Sequence, residues 1–265
     1  MFDVHVTNWA VFDADPVETA RLTAEAGADG IEYLDPRADD FAAVAETADE
    51  HGVGLVSTGA GGVAANTGTA GPAMTDPDLT GEAVADIEEA LDLAGDVVEN
   101  MVITVGPDQE GIERAVQRNA IVRALREAAP AAAEHGVTLQ VEPLNTRVDH
   151  PGYFLTTVDE GVGIVEAVDH PNVRLLFDVY HQQVTEGDLI SRIRSFSEYV
   201  GMYHVADVPG RGELGTGEVN WENVFAAIAD TGFEGTLGLE YVPQGDPGES
   251  VQEAVAIRDR ACGRA

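Results

Sequence analysis

Short, nearly unbroken apolar runs alternate with longer Ala-rich amphipathic segments along the whole chain. Val4–Trp9 reads as a first strand. Asp15-Pro16 then supplies an N-cap and a proline at the first helical position, opening a helix to about Ala28. Gly30–Leu34 predicts a second strand, and an Ala-rich helix from about Asp39 to Glu50 is closed by His51-Gly52. Val53–Ser57 is a third strand; a long loop of Gly, Ala and Thr from Thr58 to about Thr80 leads to a helix over Glu82–Leu93. Asn100–Val105 predicts the fourth strand and Glu110–His135 the longest helix, with Gly136 as its C-cap. Val137–Glu142 is the fifth strand. The remaining pairs are Thr157–Val168 (helix), Val173–Asp178 (strand), Asp188–Tyr199 (helix) and Met202–Ala206 (strand). A Gly-rich loop at Pro209–Gly217 follows, then Asn220–Asp230 (helix), Thr236–Glu240 (strand) and Glu249–Arg260 (helix).

Strands that are apolar on both faces belong to a parallel sheet covered on both sides. Eight of them alternating with eight helices predict a closed (β/α)₈ TIM barrel, with an open doubly wound sheet as the alternative. The loop after the first strand, Asn8–Asp15, carries no GxGxxG, which opposes a dinucleotide-binding form. The 265 residues fit one barrel domain spanning 1–265, and no linker, repeat array or low-complexity tract divides them.

Charge changes the picture most. The chain holds 48 Asp and Glu against 14 basic residues, a formal net charge of −34, and every basic residue is arginine. Such a surface repels itself at low salt, whereas multimolar salt shrinks the Debye length to roughly 3 Å or less. Acidic composition without lysine is the pattern of proteins from extreme halophiles, so most carboxylates are read as solvated surface. The missing lysine also excludes Schiff-base aldolases, pyridoxal phosphate enzymes and Walker-type phosphate loops. Cys262 is the single cysteine, which rules out an intramolecular disulfide and a cysteine metal site. With no secretory signal at the N-terminus and no run of membrane-spanning length, a reducing cytoplasm is the expected compartment.

Barrel active sites lie at the C-terminal ends of the strands. Read there, LQVE, RLLFD, MYH and LGLE offer Glu142, Asp178, His204 and Glu240, one from each of four consecutive strands. Buried carboxylates are costly unless paired or metal-bound, and three carboxylates with one imidazole suit one divalent ion: Mg²⁺, Mn²⁺ or Co²⁺, with Zn²⁺ also accommodated. The competing reading is that acidic residues end strands by chance in so acidic a chain; four in succession weaken it. Glu32, in IEYL of the second strand, follows the same pattern from across the barrel, as a substrate or outer-shell group or else a surface carboxylate. His181, three residues past Asp178, is assigned a hydrogen bond to a substrate oxygen or a metal ligand. Arg211, in PGRGELGTGE, could fork onto a substrate carboxylate, or pair with Glu213 or Glu218. His5, His51, His135, His150 and His170 read as surface or packing histidines.

At these residues the chain resembles hydroxypyruvate isomerase, within the xylose-isomerase-like superfamily of sugar isomerases and epimerases. The matching stretches are VEPLNTR (141–147), PGYFL (151–155), FDVYH (177–181), EGDL (186–189), HVADVPGRGELGTGEVNW (204–221) and LGLEYVP (237–243), all in the C-terminal half. The N-terminal half matches mainly through DGIEYL. The resemblance implies that Glu142, Asp178, His204 and Glu240 hold the metal, that Glu142 and Glu240 move protons, and that His181, Arg211, Asn145 and Glu32 contact substrate. It also implies a hydroxy-keto acid or sugar substrate isomerised through a cis-enediolate, with neither nucleic acid nor membrane as partner; a homo-oligomer is compatible with it. Two departures bear on substrate. Hydroxypyruvate isomerases usually carry glutamine where this chain has His204, which ketose 3-epimerases share. The epimerases' substrate-binding carboxylate is absent, Val148 standing near its position. A nuclease related to endonuclease IV and a non-catalytic sugar-binding barrel are the rival readings.

Overall fold

A computed structural model of the chain describes residues 1–60 and 72–263. Eight parallel strands close into a barrel in sequence order. They are β1 (Asp3–Thr7), β2 (Gly30–Glu32), β3 (Gly54–Ala60), β4 (Asn100–Ile103), β5 (Thr138–Val141), β6 (Val173–Asp178), β7 (Val200–Val205) and β8 (Thr236–Leu239). The helices are α1 (Pro16–Glu25), α2 (Phe41–Glu50), α3 (Thr80–Ala94), α4 (Arg114–Glu134), α5 (Val158–Val168), α6 (Val179–Thr185), α7 (Leu189–Phe196), α8 (Trp221–Asp230) and α9 (Pro247–Ala261). The closed barrel replaces the open-sheet alternative.

Local chemistry sets most boundaries. Asp15, Thr157, Asn220 and Asp246 each accept a hydrogen bond from the backbone N–H three residues on, satisfying a donor that the helix leaves orphaned. Two departures from the sequence reading have physical causes. Helix α4 begins at Arg114 instead of Glu110, because Gly111 takes a positive φ of 83° that breaks helical geometry. Helix α6 was not foreseen: Asp178 ends β6 and, through its side chain, caps α6 by accepting from His181 N at 3.0 Å. The sequence reading ended the strand at Asp178 and placed no helix before Asp188. The Thr58–Thr80 loop expectation falls partly on residues 61–71, outside the described residues; β3 runs on to Ala60.

Strand residues alternate between two environments. Outward side chains such as Val4, Ile31, Leu139, Leu175, Phe177, Tyr203 and Leu237 join one large core against the helices. Inward ones form a separate, smaller apolar cluster of Leu34, Val102, Leu176 and Met202, with Trp9 packed against it. Two residues beyond Leu176 and Met202 on the same inward faces stand Asp178 and His204. Polar groups thus occupy the mouth of the barrel above an apolar plug.

The arginines mostly tie neighbouring elements together, as Arg37 does with Asp86 and Glu89, Arg192 with Asp159 and Glu186, and Arg260 with Glu222 and Glu253. Exposed pairs of this kind each contribute only about 0–1 kcal/mol. They leave the large acidic excess unneutralised, so its repulsion is relieved chiefly by screening. Raising KCl from 0.1 M to 2 M is expected to raise the thermal midpoint, by roughly 2–4 °C for each kcal/mol of repulsion removed. A midpoint that is flat or falls over that range contradicts this reading of the surface.

Candidate metal centre

Glu142, Asp178, His204 and Glu240 come together. Strand register does most of this work: Asp178 lies opposite His204, and His204 opposite Gly238, two residues before Glu240. Glu142 and Glu240 sit one residue past their strands and still continue the ladder, their N–H groups donating to Ile103 O and Val205 O at 3.1 Å each. Tyr153 fixes Glu142 further. Its hydroxyl donates to Glu142 O at 3.1 Å and accepts from Val105 N at 2.8 Å, clasping the ends of β4 and β5. All four side chains are buried, and each offers one donor atom such that all four atoms lie within 4.8 Å of one another. His204 Nδ1 stands 3.5 Å from Glu240 Oε2 and 3.8 Å from Glu142 Oε1.

Crowding three carboxylates out of water shifts their protonation. Burial, then the charge of Glu240, pushes Glu142 well above the usual carboxylate range. The same two causes raise Asp178 to about 6. Glu240 goes the other way: burial would raise it, but the Arg211 guanidinium and His204 outweigh that and hold it ionised. His204 is likewise buried against its charged form, yet Glu32 and Glu240 hold it well above the ordinary histidine value. Among the described residues neither His204 ring nitrogen has a hydrogen-bond partner. Oxygen-rich, anionic and with an unpartnered imidazole nitrogen between carboxylates, the donor set fits a hard divalent cation.

Arg211 pairs with neither Glu213 nor Glu218. Its Nη2 donates to Glu240 Oε2 at 2.6 Å, while its guanidinium carbon lies 5.0 Å from the Tyr180 ring centroid and 5.4 Å from that of Trp9. Glu213 instead accepts from the N–H groups of Gln244 and Gly245, and Glu218 from Gln183 Nε2. Arg211 Nε is buried without a hydrogen-bond partner among the described residues.

The loop presenting Arg211 is tied by a residue that the sequence reading passed over. Asp207 is fully buried and accepts from Val208 N, Gly215 N, Val219 N and Trp221 Nε1. Burial opposes its charge, but the indole and backbone donors win and hold its carboxyl below the usual range. Gly217 packs so closely that a Cβ there would lie 2.1 Å from Val208 O. An aspartate opening the Gly-rich stretch that runs to Gly217 was the available signal.

His181 reaches the site, its Nε2 3.6 Å from Asp178 Oδ2 and its Nδ1 2.7 Å from Asn145 Nδ2. Burial, then the positive Arg211, depresses its pKa well below the ordinary value, so the ring is neutral. Nδ1 accepts from Asn145, which leaves the ring proton on Nε2, towards Asp178. Asn145, implied by the resemblance as a substrate contact, is fully buried and engaged within the protein. Its amide donates to Asp149 Oδ2 at 2.7 Å and faces His181, and its carbonyl accepts from Val148 N and Asp149 N. It orients His181.

Glu32 is no surface carboxylate, nor does it stand across the barrel from the site: it is fully buried with Oε2 3.4 Å from His204 Nε2. His5, expected to be a packing histidine, is buried beside it at 4.0 Å. His150, likewise expected to be ordinary, packs its ring edge-on to His181 at 5.2 Å. Because β1 pairs with both β8 and β2 in the closed barrel, the inward residues of β1 and β2 reach His204 from behind.

Comparison with known proteins agrees with this architecture. The hydroxypyruvate isomerase of Escherichia coli is 33% identical over 140 residues, 53% of this chain and 54% of that protein. The 2-oxo-tetronate isomerase of Pectobacterium atrosepticum is 29% identical over 236 residues, 88% of either chain. In several other curated relatives the aligned stretch spans about half to three fifths of the relative's length. Among solved structures, one described as an AP endonuclease, family 2, from Brucella melitensis superposes with a TM-score of 0.82 at 28% identity, covering 97% of this chain and all of that one. The family model for the xylose isomerase-like TIM barrel matches residues 20–260. With that match over nearly its whole length, the chain belongs to the xylose isomerase-like TIM barrel family.

Proposed function

We propose that the protein is a metal-dependent isomerase of a small hydroxy-keto acid or sugar, with hydroxypyruvate the leading substrate and Glu142 and Glu240 as its proton-moving groups. The observation that carries this is the convergence of four buried donors within 4.8 Å at the barrel mouth, with the Arg211 guanidinium on Glu240. The relatives named for hydroxypyruvate and 2-oxo-tetronate isomerisation support the reaction class.

Glu142, Asp178, His204 and Glu240 would hold one Mg²⁺, Mn²⁺ or Co²⁺ ion, Zn²⁺ also being accommodated. When bound, the cation supplies Lewis-acid polarisation of neighbouring carbonyl and hydroxyl oxygens. The chain's own groups do the rest. Glu142 and Glu240, facing each other across His204, are the groups that would move the protons, one accepting the carbon-bound proton and the other returning one to the adjacent carbon. Neutral His181 offers its Nε2–H beside Asp178. Arg211, its Nε unpartnered among the described residues, is suited to pair with a substrate carboxylate.

A ketose 3-epimerase would use the same residues if the two glutamates addressed opposite faces of one carbon. The Brucella relative raises a nuclease reading. The net charge of −34 opposes it, since DNA binding requires neutralising phosphates.

In an isomerisation assay in high salt with saturating Mn²⁺, Glu142→Gln and Glu240→Gln are each expected to lose on the order of 10²–10⁴ in kcat on hydroxypyruvate. Near-normal turnover by either variant removes its assigned role. A panel comparing hydroxypyruvate with neutral ketoses is expected to favour the acid, and Arg211→Met to lower that preference at least about tenfold, the scale of one lost charge-assisted contact. A preference unaffected by Arg211→Met rules out carboxylate recognition by this residue.

The raised pKa of Asp178 sets a pH dependence. In the cation-free protein its contribution to stability is present below the ordinary aspartate range and is lost as pH rises through about 6. The cation binds only the deprotonated group, releasing a proton as it does so. The gain in thermal midpoint on adding Mn²⁺ is therefore expected to be larger at pH 7.5 than at pH 5. Equal gains at the two pH values contradict a carboxylate site of this kind.

A further inference from the structure

Behind the four candidate ligands lies a second buried row: Thr7 and His5 on β1, Glu32 on β2 and Gly238 on β8. Glu32 Oε1 accepts from the Thr7 hydroxyl at 3.3 Å. Among the described residues its Oε2 makes no well-aligned hydrogen bond, yet it faces His204 Nε2 at 3.4 Å and His5 Nε2 at 4.0 Å. Glu32, His5 and His204 are each no more than 1% exposed. A carboxylate so far from water needs N–H donors, and imidazoles are the ones on offer.

We propose that Glu32 is the positioning residue of the metal centre, accepting the Nε2–H of His204 so that Nδ1 is the nitrogen presented to the cation. This rests on the metal-centre reading above. A neutral imidazole carries one ring proton, so the nitrogen that meets the ion and the nitrogen that donates must differ. The two are sorted by geometry: Nδ1 faces Glu142 and Glu240, Nε2 faces Glu32. A carboxylate behind a ligating histidine fixes its tautomer and ring orientation and increases its basicity.

The same three residues, His5, Glu32 and His204, lie close enough together to hold a second ion. That would require His204 to ligate through both nitrogens and surrender its ring proton, with one carboxylate to balance the charge. The hydrogen-bonded arrangement needs neither.

Gly238 makes this row possible. It is the cross-strand partner of both His5 and His204, and a Cβ there would lie 2.6 Å from His204 Cδ2 and 2.6 Å from His5 Nε2. Only a residue without a side chain lets the two rings stand side by side over Glu32.

The test is a Co²⁺ titration of the full chain, followed by the visible d–d absorption of the ion and not by turnover. Glu32→Gln is expected to weaken the Co²⁺ Kd by roughly 10–100-fold, with folding checked by circular dichroism. A Kd within twofold of the parent in a folded variant overturns the role of Glu32 and leaves the metal centre standing. No Co²⁺ absorption in the parent chain overturns the metal centre, and this proposal with it. If Glu32→Gln does not fold, ¹⁵N-histidine NMR of the Zn²⁺-loaded parent decides: a proton on His204 Nε2 with Nδ1 ligated supports the proposal, and the reverse tautomer refutes it.

Discussion

Three carboxylates and an imidazole share one water-poor pocket at the mouth of the barrel, and most of what is unusual here answers the cost of that arrangement. Like charges this close cannot all ionise without compensation. Within the chain the compensation is partial and directional. Arg211 neutralises Glu240, His204 leans on Glu32 and Glu240, and Glu142 and Asp178 are left with raised pKa values. A divalent ion is the simplest group that would complete it.

The fold makes such a pocket affordable by separating two interiors. Outward strand residues and the helices form the large apolar core, so stability does not rest on the inside of the barrel. The inside carries a short apolar plug and, above it, polar residues that a packed core would reject. Around the mouth, supports rather than ligands set the geometry. Tyr153 clasps two strand ends, Asp207 knots the loop that delivers Arg211, and Gly238 opens space for two imidazoles.

The barrel and the four donors were legible in the sequence because each depends on a local signal. Apolar runs of strand length marked the sheet, and a polar residue at the end of a run marked the mouth. What was not legible depends on closure. Glu32 and His5 lie far from His204 along the chain and meet it only because β1 pairs with β8. Asn145, a substrate contact by resemblance, has its amide on Asp149 and beside His181, partners that sequence spacing does not announce. Arg211 had acidic neighbours in its own loop, and its actual partner lies 29 residues away, on the next strand end. Helix α6 starts directly after β6, with Asp178 as both strand end and cap, so no separate loop or N-cap residue announced it.

The account turns on whether those four side chains share a cation. Crystals grown with Mn²⁺ and measured for anomalous scattering at the manganese edge test it directly. A single strong peak is expected, within about 2.0–2.3 Å of a carboxylate oxygen of Glu142, Asp178 and Glu240 and of His204 Nδ1. A peak elsewhere, or none at saturating Mn²⁺, would contradict it.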